Sequence, residues 1–239
     1  MRIVTLNIQH GGGNRVPRLA EYLVGLRADL VVLTEFRGTG PSLALAEELR
    51  EHGLAHFARA PAEPKVNSVA VLANVPFETR PLTCLAEDQR NRILAASFPE
   101  LDLFAAYFPQ RHLKAPLFDF FLGRQHRGGH SRHLLIGDLN TGQHQLDEVG
   151  RTFYCADRFG ALSQAGLIDL WRTRNPHVRE YSWFSRAGRG FRIDHAHGSS
   201  AVVSAVERVL YDHAPRAKGV TDHSALILDL DLLAECQSG

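Results

Sequence analysis

Short runs of branched apolar residues, each closed by a polar one, recur along the chain and alternate with stretches of helical spacing. Arg2 to Asn7 alternates apolar and polar positions and predicts a first strand. After the break at Gly11-Gly12-Gly13, the spacing of Leu19, Leu23 and Leu26 predicts a helix over 16–26, with Pro17 suited to its first turn. Leu30-Val31-Val32-Leu33 predicts a buried strand that ends in Thr34-Glu35. A second helix is expected over 42–50, with Ser42 as its N-cap. Between Leu54 and Tyr107 the segments Ser68–Ala73, Phe77–Leu82, Ile93–Phe98 and Leu101–Tyr107 predict an antiparallel meander. Ala115 to Arg124 returns to helical spacing. Leu134-Leu135-Ile136 then predicts a buried strand, stopped by Gly137 and followed by Asp138-Leu139-Asn140. A short helix is expected over 157–164, then an arginine-rich loop holding Tyr181-Ser182-Trp183-Phe184. Strands over 192–198, 201–210 and 224–230 complete the pattern. Without repeats or a long linker, residues 1–239 are expected to form one mixed α/β domain.

Composition narrows the class. At 44% hydrophobic residues the chain can bury a large core, and no apolar run reaches the length of a membrane span. Its first residues carry no signal-peptide core, so a cytoplasmic protein acting near the nucleoid is expected. Cys84, Cys155 and Cys236 are far apart and form no C-x-x-C pair, which argues against a thiolate metal site. A net charge of +1 gives no whole-protein attraction to nucleic acid. Charge is uneven, however: Arg172, Arg174, Arg179, Arg186, Arg189 and Arg192 fall in one stretch opposed only by Glu180. A second basic stretch runs from Phe108 to His133. Both are candidate footprints of a phosphate-bearing partner.

The polar residues that close or flank the predicted strands are the chemical signal. They are Asn7, Glu35, Tyr107, Asp138, Asn140, Asp194, Asp222 and His223. One such residue is ordinary turn chemistry, but this many points to a single crevice fed by several strands. Hard oxygen donors with amides and one histidine suit Mg²⁺ or Mn²⁺. Carboxylates, a divalent ion and a histidine are the means of phosphate-ester hydrolysis.

These residues, with Tyr107-Phe108-Pro109-Gln110, Gly137-Asp138-Leu139-Asn140, Ser182-Trp183-Phe184, Arg192-Ile193-Asp194 and Asp222-His223-Ser224, resemble the endonuclease/exonuclease/phosphatase superfamily. Within it they resemble the exonuclease III-type apurinic/apyrimidinic endonucleases. The resemblance implies a four-layer α/β sandwich of the deoxyribonuclease I kind, two packed mixed sheets flanked by helices, with the site at one rim. It implies Glu35 as main metal ligand beside Asn7, and Asp138 orienting or deprotonating the attacking water with help from Asn140. His223 would bind the scissile phosphate, oriented by Asp222. Tyr107 would contact the phosphate and Asp194 would support the leaving oxygen. Trp183, Phe184 and Phe191 would line a pocket for a base-free deoxyribose, with Arg192 beside them on the substrate side. The sequence departs from the branch at Thr34-Glu35-Phe36, at Gln9, and in a short connection between Asn140 and Leu167.

The activity these features imply is Mg²⁺-dependent hydrolysis of DNA, at abasic sites, 3′ ends or both, by a monomer. Two alternatives stand beside it: a phosphoesterase of the same fold acting on RNA or a small molecule, and a nucleic-acid-binding protein without catalysis. Gly11-Gly12-Gly13 partly matches a dinucleotide fingerprint, but Val16 stands where the third glycine belongs, and a turn is the better account. His195 and His197 share one face of a strand, which permits a metal pair; polar filling of a half-exposed strand is the stronger explanation. His126, His130 and His133 are expected in a solvated loop.

Overall fold

Runs such as Leu30-Val31-Val32-Leu33 are apolar on both faces of a strand, so each must be covered twice. The computed structural model, which describes residues 1–124 and 132–232, meets this requirement with four layers. In chain order the strands are β1 (Arg2–Asn7), β2 (Leu30–Phe36), β3 (His56–Arg59), β4 (Ser68–Ala73), β5 (Glu78–Arg80), β6 (Ile93–Phe98) and β7 (Leu101–Tyr107). They continue with β8 (His133–Asp138), β9 (Ile168–Asp169), β10 (Trp183–Phe184), β11 (Gly190–Phe191), β12 (Asp194–Gly198), β13 (Val206–Asp212) and β14 (Ala225–Leu230). The helices are α1 (Val16–Gly25), α2 (Gly40–Glu51), α3 (Ala115–Leu122), α4 (Ala156–Ala161), α5 (Leu170–Arg174), α6 (Ser200–Ala205) and α7 (Ala214–Ala217).

One six-stranded sheet has the order β13-β14-β1-β2-β4-β3 and the other β5-β6-β7-β8-β12-β9; β10 and β11 form a separate ribbon. Alternate residues divide between layers. Ile3, Leu30, Val32, Leu103, Leu134 and Ile136 pack between the sheets. Val4, Val31 and Leu33 face outward under α1 and α2, while Leu135 and Phe104 meet α3 and α4. Each sheet contains a parallel pair, β1–β2 and β7–β8, and their C-terminal ends carry Asn7, Glu35, Tyr107 and Asp138.

Gly137 fixes the spacing of the second pair. It lies opposite Ala106 at φ +142°, and a Cβ there would overlap the Ala106 carbonyl oxygen. Gly137→Ala is therefore expected to destabilise the fold by about 1–3 kcal/mol, read as a lower urea midpoint. An unchanged midpoint would show that β7 and β8 are not held this closely.

Several expectations are corrected. The predicted meander is split: β3 and β4 belong to the first sheet, β5–β7 to the second, and β7 continues into a parallel partner. Residues 201–205 form helix α6, and the strand begins only at Val206. Ala201, Val202 and Ala205 bury one helical face, so packing overrides the β-branched preference of Val202-Val203. Thr39, not Ser42, is the N-cap of α2. Ser42 is buried and donates to the Gly11 carbonyl, clamping the turn in which Gly11, Gly12 and Gly13 all have positive φ. His195 and His197 lie on a fully buried strand, at 0% and 2% exposure, not a half-exposed one. His133 starts β8 and is half-buried, whereas His126 and His130 lie outside the described residues. Among the described residues no helix is long and apolar enough to cross a membrane.

Candidate active site

Asp138 ends β8, and antiparallel pairing sets Asp194, the first residue of β12, directly opposite. Facing residues project on the same side of a sheet, so two carboxylates meet at 2% and 1% exposure. Their repulsion is answered locally. Asp138 Oδ2 accepts from Asn7 Nδ2 at 2.9 Å and Oδ1 from the Asn140 amide at 2.9 Å, while His223 Nδ1 contacts Asp194 Oδ2 at 2.8 Å. Burial and Asp194 push the Asp138 carboxyl up to about 7, against the opposing pull of His223. Burial works against charge on His223, but Asp194, Asp138 and Asp222 outweigh it and push its pKa up to about 10. The imidazolium of His223 is thus bound to Asp194, with its second N–H left to donate.

Glu35 reaches the rim by a bulge. Thr34 pairs with Val69 and Phe36 with Ser68, so Glu35 between them is unpaired, at φ +55°. A bulge re-aims a side chain at the expense of ladder hydrogen bonds. Glu35 Oε1 accepts from Tyr107 at 3.2 Å and Oε2 from the His10 amide at 2.7 Å. Burial, with Glu35 and Asp138 nearby, raises the Tyr107 phenol well above its usual range and keeps it protonated. Asn140 is also left-handed, at φ +51°; its amide donates to the Phe108 carbonyl, and its own carbonyl accepts from Lys114.

The ribbon closes one side. Trp183 pairs with Phe191 at a ring distance of 5.8 Å, bridges to His223 and donates from Nε1 to Asp222 Oδ2 at 3.0 Å. Phe153 meets the edge of Phe191 at 5.7 Å. Ser182 Oγ accepts from the Ile193 and Asp194 amides, tying the ribbon to β12.

Three expected placements change. Asp222 is engaged by Trp183, and the residue that holds His223 is Asp194, through Oδ2. Phe184 alternates to the other face of β10, against Tyr181 and Arg216. Arg192 is fully buried, donating to Asp147 from Nε at 2.7 Å and Nη2 at 3.0 Å, and to Asp169 from Nη2 at 2.6 Å. It cannot touch substrate from there. Arg172 also turns inward to Asp147, so the arginine-rich stretch is only partly a surface.

Some contributors escaped the sequence reading. Asn67 donates to the Tyr107 hydroxyl at 3.4 Å, Arg92 lies 5.2 Å from the Tyr107 ring, and the buried ammonium of Lys114 supports Asn140. Asn67 and Arg92 immediately precede strands, and that position was the available signal.

A divalent cation fits these residues. Carboxylate oxygens of Asp138 and Asp194 lie within 4.8 Å of one another, and Asp194 Oδ1 is buried with no hydrogen-bond partner, whereas protonated His223 has no lone pair to offer an ion. An orphaned carboxylate oxygen beside further oxygen donors is suited to a hard ion.

Residues 4–223 match the Endonuclease/Exonuclease/phosphatase family. Solved structures share the fold over almost their whole length. An AP endonuclease from Archaeoglobus fulgidus matches with a TM-score of 0.83 at 16% identity, covering 97% of this chain and 99% of that one. A 3′ phosphatase from Neisseria bound to a product DNA hairpin gives 0.81 at 22% identity, covering 97% and 99%. A 3′-5′ exonuclease from Neisseria meningitidis gives 0.78 at 22% identity, covering 97% and 100%. With the family matched across both sheets and the rim between them, the chain belongs to the endonuclease/exonuclease/phosphatase family and is a hydrolytic enzyme acting on phosphoester bonds.

Proposed function

We propose that this enzyme is a divalent-cation-dependent phosphodiesterase acting on DNA at abasic sites and 3′ ends. The observation that carries the reading is the position of His223, gripped by Asp194 on one side and flanked by the Trp183–Phe191 pair on the other. Chemistry and a sugar-sized aromatic wall thus share one edge. The fold matches, an abasic-site endonuclease and 3′-end enzymes of which one holds a DNA hairpin, support a DNA substrate.

Asp138 is held by two hydrogen bonds and poised near neutrality, as a general base needs to be, so it takes the proton of the attacking water. Protonated His223 donates to a phosphate oxygen and stabilises charge that grows as the water oxygen bonds to phosphorus and the bond from phosphorus to the leaving sugar oxygen breaks, the leaving oxygen taking its proton from solvent. Tyr107 and Asn140 orient the phosphate. Glu35 and Asn7 would hold Mg²⁺ or Mn²⁺, which when bound neutralises phosphoryl oxygens and acidifies water.

The deciding assay compares an abasic-site duplex, a duplex with a recessed 3′ end and a small chromogenic phosphodiester, each with Mg²⁺ and with EDTA. Cleavage of both DNAs that EDTA abolishes is expected; full activity in EDTA would overturn the metal dependence. Trp183→Ala should lower abasic-site cleavage roughly tenfold or more beyond its effect on the chromogenic ester, because packing a sugar against the ring buries apolar surface at about 25 cal/mol per Å² that the small ester does not bury. Equal losses on both substrates would favour RNA or a small phosphoester instead.

A further inference from the structure

Behind β12, on the face opposite Asp194, lies a second convergence of potential ligands. His195 and His197 project there together, and Asp169 of β9 pairs in register with His197. Both rings are buried, with Phe159 at 4.7 and 5.1 Å. Each ring spends one nitrogen on a backbone carbonyl: His195 Nε2 on Thr141 at 2.8 Å, and His197 Nδ1 on Leu167 at 3.3 Å. A carbonyl only accepts, so those nitrogens carry the protons and fix both tautomers. The remaining nitrogens, His195 Nδ1 and His197 Nε2, are buried and have no hydrogen-bond partner. One ligand atom from each of Asp169, His195 and His197 lies within 4.8 Å of the other two, and His195 Nδ1 stands 3.8 Å from Asp169 Oδ2.

We propose that Asp169, His195 and His197 form a buried site for a borderline divalent transition ion of the Zn²⁺ kind, separate from the catalytic rim. Two buried imidazole nitrogens without hydrogen-bond partners face a carboxylate that Arg192 holds from its other side, so an ion shared by the three would satisfy both lone pairs. The second nitrogen of a metal-bound histidine ordinarily donates to a carbonyl or carboxylate, and both rings here do so. The Asp169 Oδ2 to His195 Nδ1 separation is 3.8 Å, too long for a hydrogen bond. It is close to the roughly 3.4 Å edge of a tetrahedron with bonds of about 2.0–2.1 Å, so small side-chain shifts bring three protein ligands to tetrahedral vertices and leave the fourth to a water.

Asp169 Oδ2 accepts one bond from Arg192, at 2.6 Å, which leaves it a second lone pair. The neighbouring guanidinium disfavours an ion held by oxygen alone. Two imidazole nitrogens therefore select a nitrogen-preferring ion over Mg²⁺. Such an ion would staple β9 to β12 one residue beyond Asp194, with a structural role.

Co²⁺ is the probe. The full-length chain, stripped with chelator, is titrated with CoCl₂ in the visible, where a four-coordinate nitrogen-ligated ion absorbs far more strongly than an octahedral, oxygen-bound one. One equivalent of intense bands is expected in the wild type and in Glu35→Gln, and loss of those bands in His197→Leu and His195→Gln. Zn²⁺ should raise the Tm of wild type and Glu35→Gln, and leave that of the histidine variants unmoved. Folding of each variant is checked by circular dichroism; if one histidine variant fails to fold, the other serves, and the wild-type titration decides alone. Absence of intense bands from the wild type, even after refolding with Co²⁺, would overturn the proposal and leave a bridging water between the rings. Bands that survive in either folded histidine variant would overturn it equally.

Discussion

Asp138→Asn is expected to lower turnover on an abasic-site duplex by about 10²-fold or more while duplex affinity is kept. The substitution preserves volume, and the Asn140 amide can still donate to the new carbonyl oxygen. It removes the proton acceptor and one of two facing carboxylates. Binding should hold or tighten, because a phosphate then approaches one fewer negative charge. Single-turnover rates and equilibrium binding to the same duplex separate the two effects. Parallel losses in both would show that Asp138 serves the scaffold through Asn7, and that the base lies elsewhere.

Arg192→Leu should destabilise the protein by about 3–5 kcal/mol, a large part of a typical domain's total. It removes the only side-chain cation bonded to Asp169 among the described residues and leaves Asp147 with Arg172 alone, two carboxylates that burial would neutralise and that Arg192 instead holds below their ordinary range. Urea denaturation is the measurement. Arg192→Lys should rescue little, since an ammonium cannot reproduce the guanidinium's contacts to both acids. A variant of normal stability but weakened DNA binding would return Arg192 to the substrate surface.

The contrast between these two residues shows what a sequence of this kind exposes. Asp138 was legible because an apolar run and a glycine announce a buried strand and its end, and strand ends of parallel pairs meet at one rim. Arg192 was not, because arginine is rarely buried unless paired, and its partners lie 45 and 23 residues away. Only the fold brings them together. Asn67 and Arg92 were missed for a geometric reason. Strands β4 and β6 run antiparallel to their neighbours, so their beginnings, not their ends, arrive beside Tyr107. The same holds for Asp194, whose membership of the rim was readable while its grip on His223 was not. Residues 201–205 show the remaining gap: five small or branched residues satisfy either period until packing chooses one.

Confinement of the chemistry to one rim leaves the opposite edge available for attachment. The turn at Pro99-Glu100 joins the far ends of β6 and β7 and is exposed. Tyr107 is the last of the seven residues of β7, about 20 Å of extended chain from that turn. A reporter or surface anchor inserted there would hold the protein by its back, with the rim that carries Asp138 and His223 pointing into solution.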